Sequence, residues 1–205
     1  MRGVVKIYTR KGDDGTTGLF YGGRVPKHAP SIEINGAVDE AQAALGLARA
    51  EAVPGSELDD IVLGLMRDLY VLMAEVATAP KNRAKLTPGS TAVTPEMVEA
   101  LEERIDALSG RFPMPTDFVV PGKNRVSAAL DVARTVVRRA ERLASAAPPA
   151  SGSHVGPYLN RLSDLLWTMA RWQEEEHVAT RSLGTAPGAP RARGPQTPSD
   201  SGEAS

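Results

Sequence analysis

The sequence predicts an all-α protein, an antiparallel five-helix bundle preceded by an ordered N-terminal loop. Apolar residues recur at alternating spacings of four and three in five separate stretches, and strand signals are weak throughout. The 205 residues, 41% hydrophobic and 24% charged, suit one well-cored domain. The last residues are almost wholly Gly, Pro, Ala, Ser and Thr, which bury too little apolar area to offset the cost of ordering. We therefore expect a helical-bundle domain over residues 1–181 and a disordered tail over 182–205.

The first part of the chain contains the predicted loop and two helices. Residues 1 to about 30 are rich in glycine and charge and lack a helical period, which indicates an ordered loop or short extended segment. A first helix is expected from about 32 to 51. A second begins at Ser56, which forms a capping pair with Asp59, and ends before Pro80.

Three further helices are predicted after a connecting segment. Residues 80–93 contain Pro, Gly, Ser and Thr and form the most loop-like stretch inside the domain. The third helix begins with Thr94 as its N-cap and closes at Gly110. The fourth and fifth helices have their apolar seams over 126–144 and 155–169.

Composition and charge exclude several classes of function. A formal net charge of −1 offers a polyanion little overall attraction, so nucleic-acid binding is not expected. The chain has no cysteine, which excludes disulfides and thiolate chemistry and fits a reducing cytoplasm. His28, His154 and His177 lack the spacing of metal ligands, so no protein-held metal is expected. No signal peptide or membrane helix is apparent, and we expect a cytoplasmic protein.

The fourth helix has a stripe of arginines on one face. Arg134, Arg138 and Arg142 stand at i, i+4 and i+8, so they drift by only about 40° per step around the helix axis. Asp131 and Glu141 can form ion pairs with some of these arginines, which leaves at least one or two guanidiniums to bind a polyphosphate. A solvated or salt-bridged helix face is the competing interpretation of the same pattern.

The N-terminal segment over residues 9–18 combines two cations, hydroxyl donors and glycines, which are the parts of an anion-binding nest. It is not a P-loop, since no Gly-Lys-Ser/Thr triplet follows. It is not an EF-hand either, because Arg24 occupies the position of the closing glutamate. A plain turn of the same composition remains the alternative.

Five blocks together resemble a known family. In chain order they are Tyr8–Gly18, Gly36–Glu40, Phe118–Gly122, Val132–Arg142 and Tyr158–Asp164. This set resembles the ATP:cob(I)alamin adenosyltransferases of the PduO type over about residues 4 to 175. The resemblance implies transfer of the 5′-deoxyadenosyl group of ATP to cob(I)alamin or a related cob(I)rrinoid, with release of triphosphate and formation of adenosylcobalamin. It also implies a homotrimer with active sites at the subunit interfaces.

The resemblance also assigns site residues. Asp39 and Arg134 match a pair that bridges subunits and supports the corrinoid pocket. Phe118 matches the aromatic that crowds the lower face of the corrin and drives off its axial base. The expected catalytic residues are Asp39, Arg134, Phe118 and Arg138. ATP is expected as its Mg²⁺ complex, with no metal held by the protein. The residues assigned to ATP are Thr9, Arg10, Lys11, Gly12, Thr17, Gly18, Lys27, Arg138, Arg139, Glu141, Arg142 and Asn160.

One departure from the family pattern leaves the corrinoid open. Many relatives read Pro-Gly-Gly after the phenylalanine-containing run, whereas here Pro121-Gly122 is followed by Lys123-Asn124-Arg125, which adds positive charge beside the proposed corrin face. Either complete cobalamin or a biosynthetic intermediate such as a cobyrinic acid diamide fits this pattern.

Partners and two other functions follow from the same reasoning. An external flavoprotein-type reductase is expected to make Co(I), and a B12-dependent enzyme could accept the product. A protein of the same fold could instead hold and deliver adenosylcobalamin with little turnover. A helical module whose arginine stripe binds polyanions is the other alternative.

Overall fold

The protein folds into five long helices preceded by a small β-hairpin, as described in a computed structural model over residues 7–174, 176, 178–180 and 183. The five predicted helices are confirmed, and of the tail predicted over 182–205 only Leu183 lies within the described residues. No helix in the described ranges is both long and apolar enough to cross a bilayer. The elements are β1 Thr16–Gly18, β2 Arg24–Pro26, α1 Pro30–Glu51, α2 Glu57–Val76, α3 Pro95–Ser109, α4 Arg125–Ala146 and α5 Val155–Trp172.

Local sequence explains where the helices begin. The Ser56 hydroxyl accepts a hydrogen bond from the amide of Asp59, and the Thr94 hydroxyl accepts one from the amide of Met97, so both predicted caps are formed. The segment expected to be a loop contains a short 3₁₀ helix over Pro80–Lys85. A proline at its first position and i to i+3 bonding favour this tight turn, a preference that apolar periodicity does not reveal.

The N-terminal segment is an antiparallel hairpin in which Thr17 of β1 pairs with Val25 of β2. This agrees with the expected ordered or extended segment. The hairpin is docked on the bundle, because the Phe20 amide donates to the Ala77 carbonyl at 3.0 Å just after α2. The Asn82 side-chain Nδ2 atom also donates to the Tyr21 carbonyl at 3.2 Å. The hairpin therefore lies at the end of the bundle where α2 finishes and α1 begins.

α4 packs against both α1 and α5. It runs antiparallel to α1, because Arg125 at its start pairs with Glu51 at the end of α1 at 2.8 Å, while Arg139 pairs with Glu40 closer to the start of α1. The carboxyl-terminal end of α4 therefore lies beside the start of α1, near the N-terminal hairpin.

α5 is the central helix of the bundle. From Leu165 to Arg171 every residue except Trp167 is buried, so this helix is covered on nearly all sides. Nearer its start, the Tyr158 hydroxyl donates to Asp68 on α2 at 3.1 Å. Burial, reinforced by the Asp68 carboxylate, raises the pKa of Tyr158 well above its ordinary value, which keeps this hydroxyl a donor.

The sequence departure at 123–125 forms the start of α4. The Asn124 Oδ1 atom accepts a hydrogen bond from the Ser127 amide at 2.8 Å, and the Ser127 hydroxyl accepts one from the Asn124 amide, which completes a capping box. The Asn124 Nδ2 atom also donates to the Gln173 carbonyl at the end of α5, at 2.7 Å. The Arg125 charge is paired with Glu51, so among these three residues Lys123 is the exposed cation without an ion pair in the described chain.

Asn124→Ala is expected to lower the free energy of unfolding by about 2 kcal/mol, since it removes a helix cap and an interhelical hydrogen bond that each contribute about 1 kcal/mol. Asn124→Ser keeps the cap and loses only the bond to Gln173, so it should cost about half as much. Urea denaturation of both variants at one protein concentration measures the difference. Equal losses would mean that the cap contributes nothing.

Candidate functional site

A cleft of about 590 Å³ opens between the segment before α4 and the helices α4 and α5. Its wall combines apolar and charged groups, among them Phe118, Arg134 and Trp167. The Phe118 side chain stands at this cleft with 88% of its surface exposed. Because this exposed ring stands in the wall of a cleft, it is available for contact with an apolar ligand.

Buried ion pairs form the floor of this cleft. The Arg171 side chain is only 2% exposed, and it donates to Asp131 at 2.6 Å and to Glu174 at 3.0 Å. The second oxygen of Asp131 accepts a hydrogen bond from Arg134 Nε at 3.1 Å. The Arg134 guanidinium is thereby held in place while 26% of its side chain remains exposed. Asp131 thus connects a buried arginine with one that faces the cleft.

Sequence reasoning missed Arg171 and Glu174. Their i, i+3 spacing is a visible sign of an ion pair, but such pairs are ordinarily solvated helix-face contacts. Burial distinguishes this pair from an ordinary one, and burial depends on the central position of α5. Charged side chains are rarely buried so completely unless paired.

The predicted arginine stripe continues along α4 away from the cleft. Arg138 is about half exposed, and its Nη1 atom lies 3.8 Å from Glu141. Glu141 is held more firmly by Asn160 of α5, whose side-chain Nδ2 atom donates to the Glu141 carboxylate at 2.7 Å. Arg142 donates to the Arg138 carbonyl at 3.1 Å. The structure therefore brings four of the predicted residues together in one cluster, whereas Arg139 pairs with Glu40 of α1.

The stripe connects the cleft to the hairpin end of the bundle. Arg134 and Arg138 are one turn apart, which is about 6 Å along the axis, and Arg142 is one turn further. The N-terminal loop immediately precedes α1 and lies at the same end as Arg142. Within residues 7–174, no hydrogen bond or ion pair joins the loop to the stripe.

The loop before α1 folds closely around Gly12. A Cβ atom at this position would lie 3.2 Å from the Thr16 carbonyl oxygen and 3.3 Å from the side-chain nitrogen of Lys27. The Lys27 amide donates to the Gly15 carbonyl at 2.9 Å, which fixes the lysine over the turn. Close approach is therefore the reason for glycine here, and Gly12 and Lys27, both of which the resemblance assigns to ATP, lie side by side.

Arg24 holds the loop in shape, a role that sequence reasoning did not assign to it. Its Nη2 atom donates to the Thr16 hydroxyl at 2.6 Å and to the Lys11 carbonyl. Asp14 lies 3.5 Å from the same guanidinium. Hydrogen bonds from the Thr16 amide and hydroxyl, aided by Arg24, hold the pKa of Asp14 below its ordinary value. The carboxylate therefore stays charged in its turn.

The other loop residues assigned to ATP lie just before the turn and in the first strand of the hairpin. Thr9, Arg10 and Lys11 are exposed, and the Arg10 guanidinium lies 5.5 Å from the centroid of the Tyr8 ring. Arg10 has a φ of 60°, a conformation that a non-glycine residue adopts at a cost. Thr17 and Gly18 belong to β1.

Asp39 and Arg134 are not brought together within one chain. Asp39 is exposed on α1 next to Glu40, which pairs with Arg139, more than one turn along α4 from Arg134. Asp39 has no ion-pair partner among the described residues. A pair between subunits, as the sequence suggested, therefore remains a prediction. Separately, no three His, Asp or Glu side chains of the described residues cluster in a way that could hold a metal ion.

The chain is similar to known proteins over most of its length. The cobalamin adenosyltransferase family model matches residues 7–173. A corrinoid adenosyltransferase from Mycobacterium bovis is 41% identical over 172 residues, covering 82% of this chain and 88% of its own. One from Citrobacter freundii is 39% identical over 173 residues, covering 83% and 96%.

A solved structure shows the same similarity. A variant of the PduO-type ATP:corrinoid adenosyltransferase from Lactobacillus reuteri, complexed with cobalamin and ATP, has a TM-score of 0.72 and 28% identity to this chain. The likeness covers 82% of this chain and 90% of that one. Since the family model spans most of the sequence and relatives exceed one third identity, this chain belongs to the cobalamin adenosyltransferase family.

Proposed function

We propose that this protein is an ATP:corrinoid adenosyltransferase, which transfers the 5′-deoxyadenosyl group of ATP to a cob(I)rrinoid such as cob(I)alamin and releases triphosphate. The arrangement of side chains on α4 is the observation that carries the proposal. Arg134 lines the cleft beside Phe118, and Arg138 and Arg142 follow on the same face. One helix thus contributes to a partly apolar cleft and to a cationic surface for the triphosphate about one turn away.

The reaction is a displacement that needs no general base. Co(I) donates an electron pair to C5′ of ATP and forms the cobalt–carbon bond, while the C5′–O5′ bond breaks and its electron pair leaves with the triphosphate. Magnesium arriving with ATP would neutralise part of the phosphate charge. The protein's own part is to hold the two substrates in line and to stabilise the charge on the leaving group.

Two members of the stripe are best suited to the triphosphate. Arg134 is committed to Asp131 and Arg139 to Glu40. The contact of Arg138 with Glu141 is long, at 3.8 Å, and Arg142 donates to a backbone carbonyl. Arg138 and Arg142 therefore retain guanidinium donors for charge-assisted bonds to phosphate oxygens.

Phe118 would act on the cobalt rather than on ATP. Its exposed ring would occupy the lower face of the corrin, where an axial base otherwise coordinates. Without that ligand the orbital that accepts the electron lies lower in energy, so reduction of Co(II) to Co(I) becomes easier. Arg134, which lines the same cleft, would help seat the corrinoid.

A homotrimer would complete the site. Asp39 is exposed and free to reach Arg134 of a neighbouring subunit, and the loop and stripe do not bond to each other within one chain. Leu47 on α1 and Val132 on α4 are 62% and 51% exposed, which supplies apolar surface for an interface. These observations support active sites built between subunits.

The setting of the reaction belongs to the proposal as well. We place the enzyme in the cytoplasm, which fits a chain without cysteine. An external flavoprotein-type reductase would supply the electron, and a B12-dependent enzyme would accept the adenosylated product. Complete cobalamin and biosynthetic intermediates are both candidate substrates.

An anaerobic assay with chemically reduced corrinoid and Mg-ATP tests the activity. We expect the visible spectrum of cobalt to change as the cobalt–carbon bond forms, with one free triphosphate per adenosylated corrinoid. Running several corrinoids in parallel identifies the preferred substrate. ATP binding without a cobalt–carbon bond would favour a delivery protein. Salt-sensitive binding of any polyanion, without preference for ATP, would favour a polyanion-binding module.

Sedimentation equilibrium should show three chains per particle. Asp39→Lys places like charges at the expected bridge and should weaken the trimer, whereas Asp106→Lys, on the exposed face of α3, should leave it intact. A wild-type monomer, or a trimer indifferent to Asp39→Lys, would contradict the proposed interface.

Arg138→Ala is expected to lower kcat/KM at least about 100-fold, because one charge-assisted donor to the leaving group is lost. Arg67→Ala on α2 serves as a matched control and should retain wild-type turnover with an unchanged oligomeric state. Steady-state kinetics with pre-reduced corrinoid give the comparison. Unchanged turnover in Arg138→Ala would remove the stripe from the mechanism.

Phe118→Ala should slow adenosylation that starts from Co(II) much more than adenosylation that starts from chemically prepared Co(I). The ring is needed to expel the axial base before reduction, and Co(I) carries no such ligand. Parallel assays with a reductase and with pre-reduced corrinoid measure the two rates. Equal losses in both assays would contradict a role at the axial position.

A further inference from the structure

The backbone beside Phe118 is tied to a segment that follows α5. The Thr180 amide and the Thr180 hydroxyl both donate to the Phe118 carbonyl, at 2.7 and 2.9 Å. The Val120 amide donates to the Val178 carbonyl at 2.9 Å, and Val119 forms an antiparallel bridge with Ala179. We refer to residues 178–180 as the C-terminal strap.

This attachment matters because the Phe118 side chain gains little from packing. With 88% of its surface exposed, the ring is not locked by neighbouring side chains. Its direction therefore depends on the backbone that carries it, in a segment where Pro113, Pro115 and Pro121 have no amide donors of their own. The strap supplies hydrogen-bond partners for the Phe118 carbonyl and for the Val120 amide.

We propose that the C-terminal strap positions the Phe118 ring at the mouth of the cleft, and that Thr180 is its principal positioning residue. Thr180 supplies both donors to one carbonyl, and that carbonyl belongs to the residue whose ring faces the ligand. The strap lies beyond residue 173, where the match to the family model ends. The proposal rests on the proposed adenosyltransferase function. Within it, the strap acts while the Co(II) corrinoid loses its axial base, before reduction to Co(I).

The expected consequence is confined to one stage of the reaction. Loosening the strap spreads the Phe118 ring over several orientations and lowers the fraction of Co(II) corrinoid that loses its axial base. Attack of Co(I) on ATP uses Arg138 and Arg142 of the arginine stripe, whereas the hydrogen bonds of the strap go to Phe118 and Val120. The rate from Co(II) should therefore fall while the rate from Co(I) stays nearly unchanged.

Three substitutions at one position test this. Thr180→Pro removes both donors, Thr180→Val removes only the hydroxyl and keeps its shape, and Thr180→Ser keeps both. We expect the rate from Co(II) to fall about tenfold in Thr180→Pro, less in Thr180→Val and not in Thr180→Ser, in line with two modest hydrogen bonds. The electron paramagnetic resonance spectrum of bound Co(II) corrinoid with ATP should show a matching loss of the four-coordinate form.

A combination with Phe118→Ala separates positioning from a general structural effect. If the strap acts through the ring, Thr180→Pro should cause no further loss of the Co(II) rate once the ring is removed. Additive losses, equal losses from Co(II) and Co(I), or a wild-type four-coordinate fraction in Thr180→Pro would each overturn the proposal. If the proline variant fails to fold, the contrast between the valine and serine variants decides alone.

Hydrogen exchange provides a reading that does not depend on the activity. Exchange of the Val120 amide, measured in the full chain without corrinoid, should be faster in Thr180→Pro than in wild type. Unchanged exchange would show that the strap does not hold this segment. Absence of adenosylation by the wild-type protein would instead refute the proposed function, so the two failures are distinguishable.

Discussion

The pairing of the buried Arg171 guanidinium is the constraint on which the site depends. A charge with 2% of its side chain exposed is stable only when it is neutralised, and Asp131 and Glu174 do so with bonds of 2.6 to 3.1 Å. Since Asp131 lies on α4 and Arg171 on α5, this pairing fixes the two helices in one register. The other carboxylate oxygen of Asp131 accepts a hydrogen bond from Arg134 and so orients that side chain toward the cleft.

That register determines the placement of everything else on α4. Once Arg134 is directed at the cleft, the helical repeat places Arg138 and Arg142 on the same side, one and two turns further along. The capping box at Asn124 adds a second restraint on the same helix by tying its start to the end of α5. A displacement reaction without proton transfer needs accurate spacing between two substrates, and a helix restrained at these two points provides it.

Much of this architecture was predictable from the sequence, and the failures have physical causes. Alternating spacings of four and three identified the five helices, and Ser56 and Thr94 were recognisable caps. The burial of Arg171 was not predictable, because a helix-surface pair and a buried pair share the same spacing. The bonds from Thr180 to Phe118 join residues 62 positions apart, so only tertiary structure reveals them. The same holds for Arg24, whose contacts depend on the folded hairpin.

The two residues proposed to face the corrinoid, Arg134 and Phe118, are held by different kinds of interaction. Arg134 is anchored to a buried ion network, where displacement would leave charges unpaired in a poorly solvated site. Phe118 is anchored by hydrogen bonds from an exposed threonine, which restrain the backbone of one residue but bury no charge. One wall of the cleft is therefore held by buried ion pairs and the other by a few hydrogen bonds. Under the proposed function, the hydrogen-bonded wall would hold the Phe118 ring well enough to displace an axial base and still adjust when a bulkier product leaves.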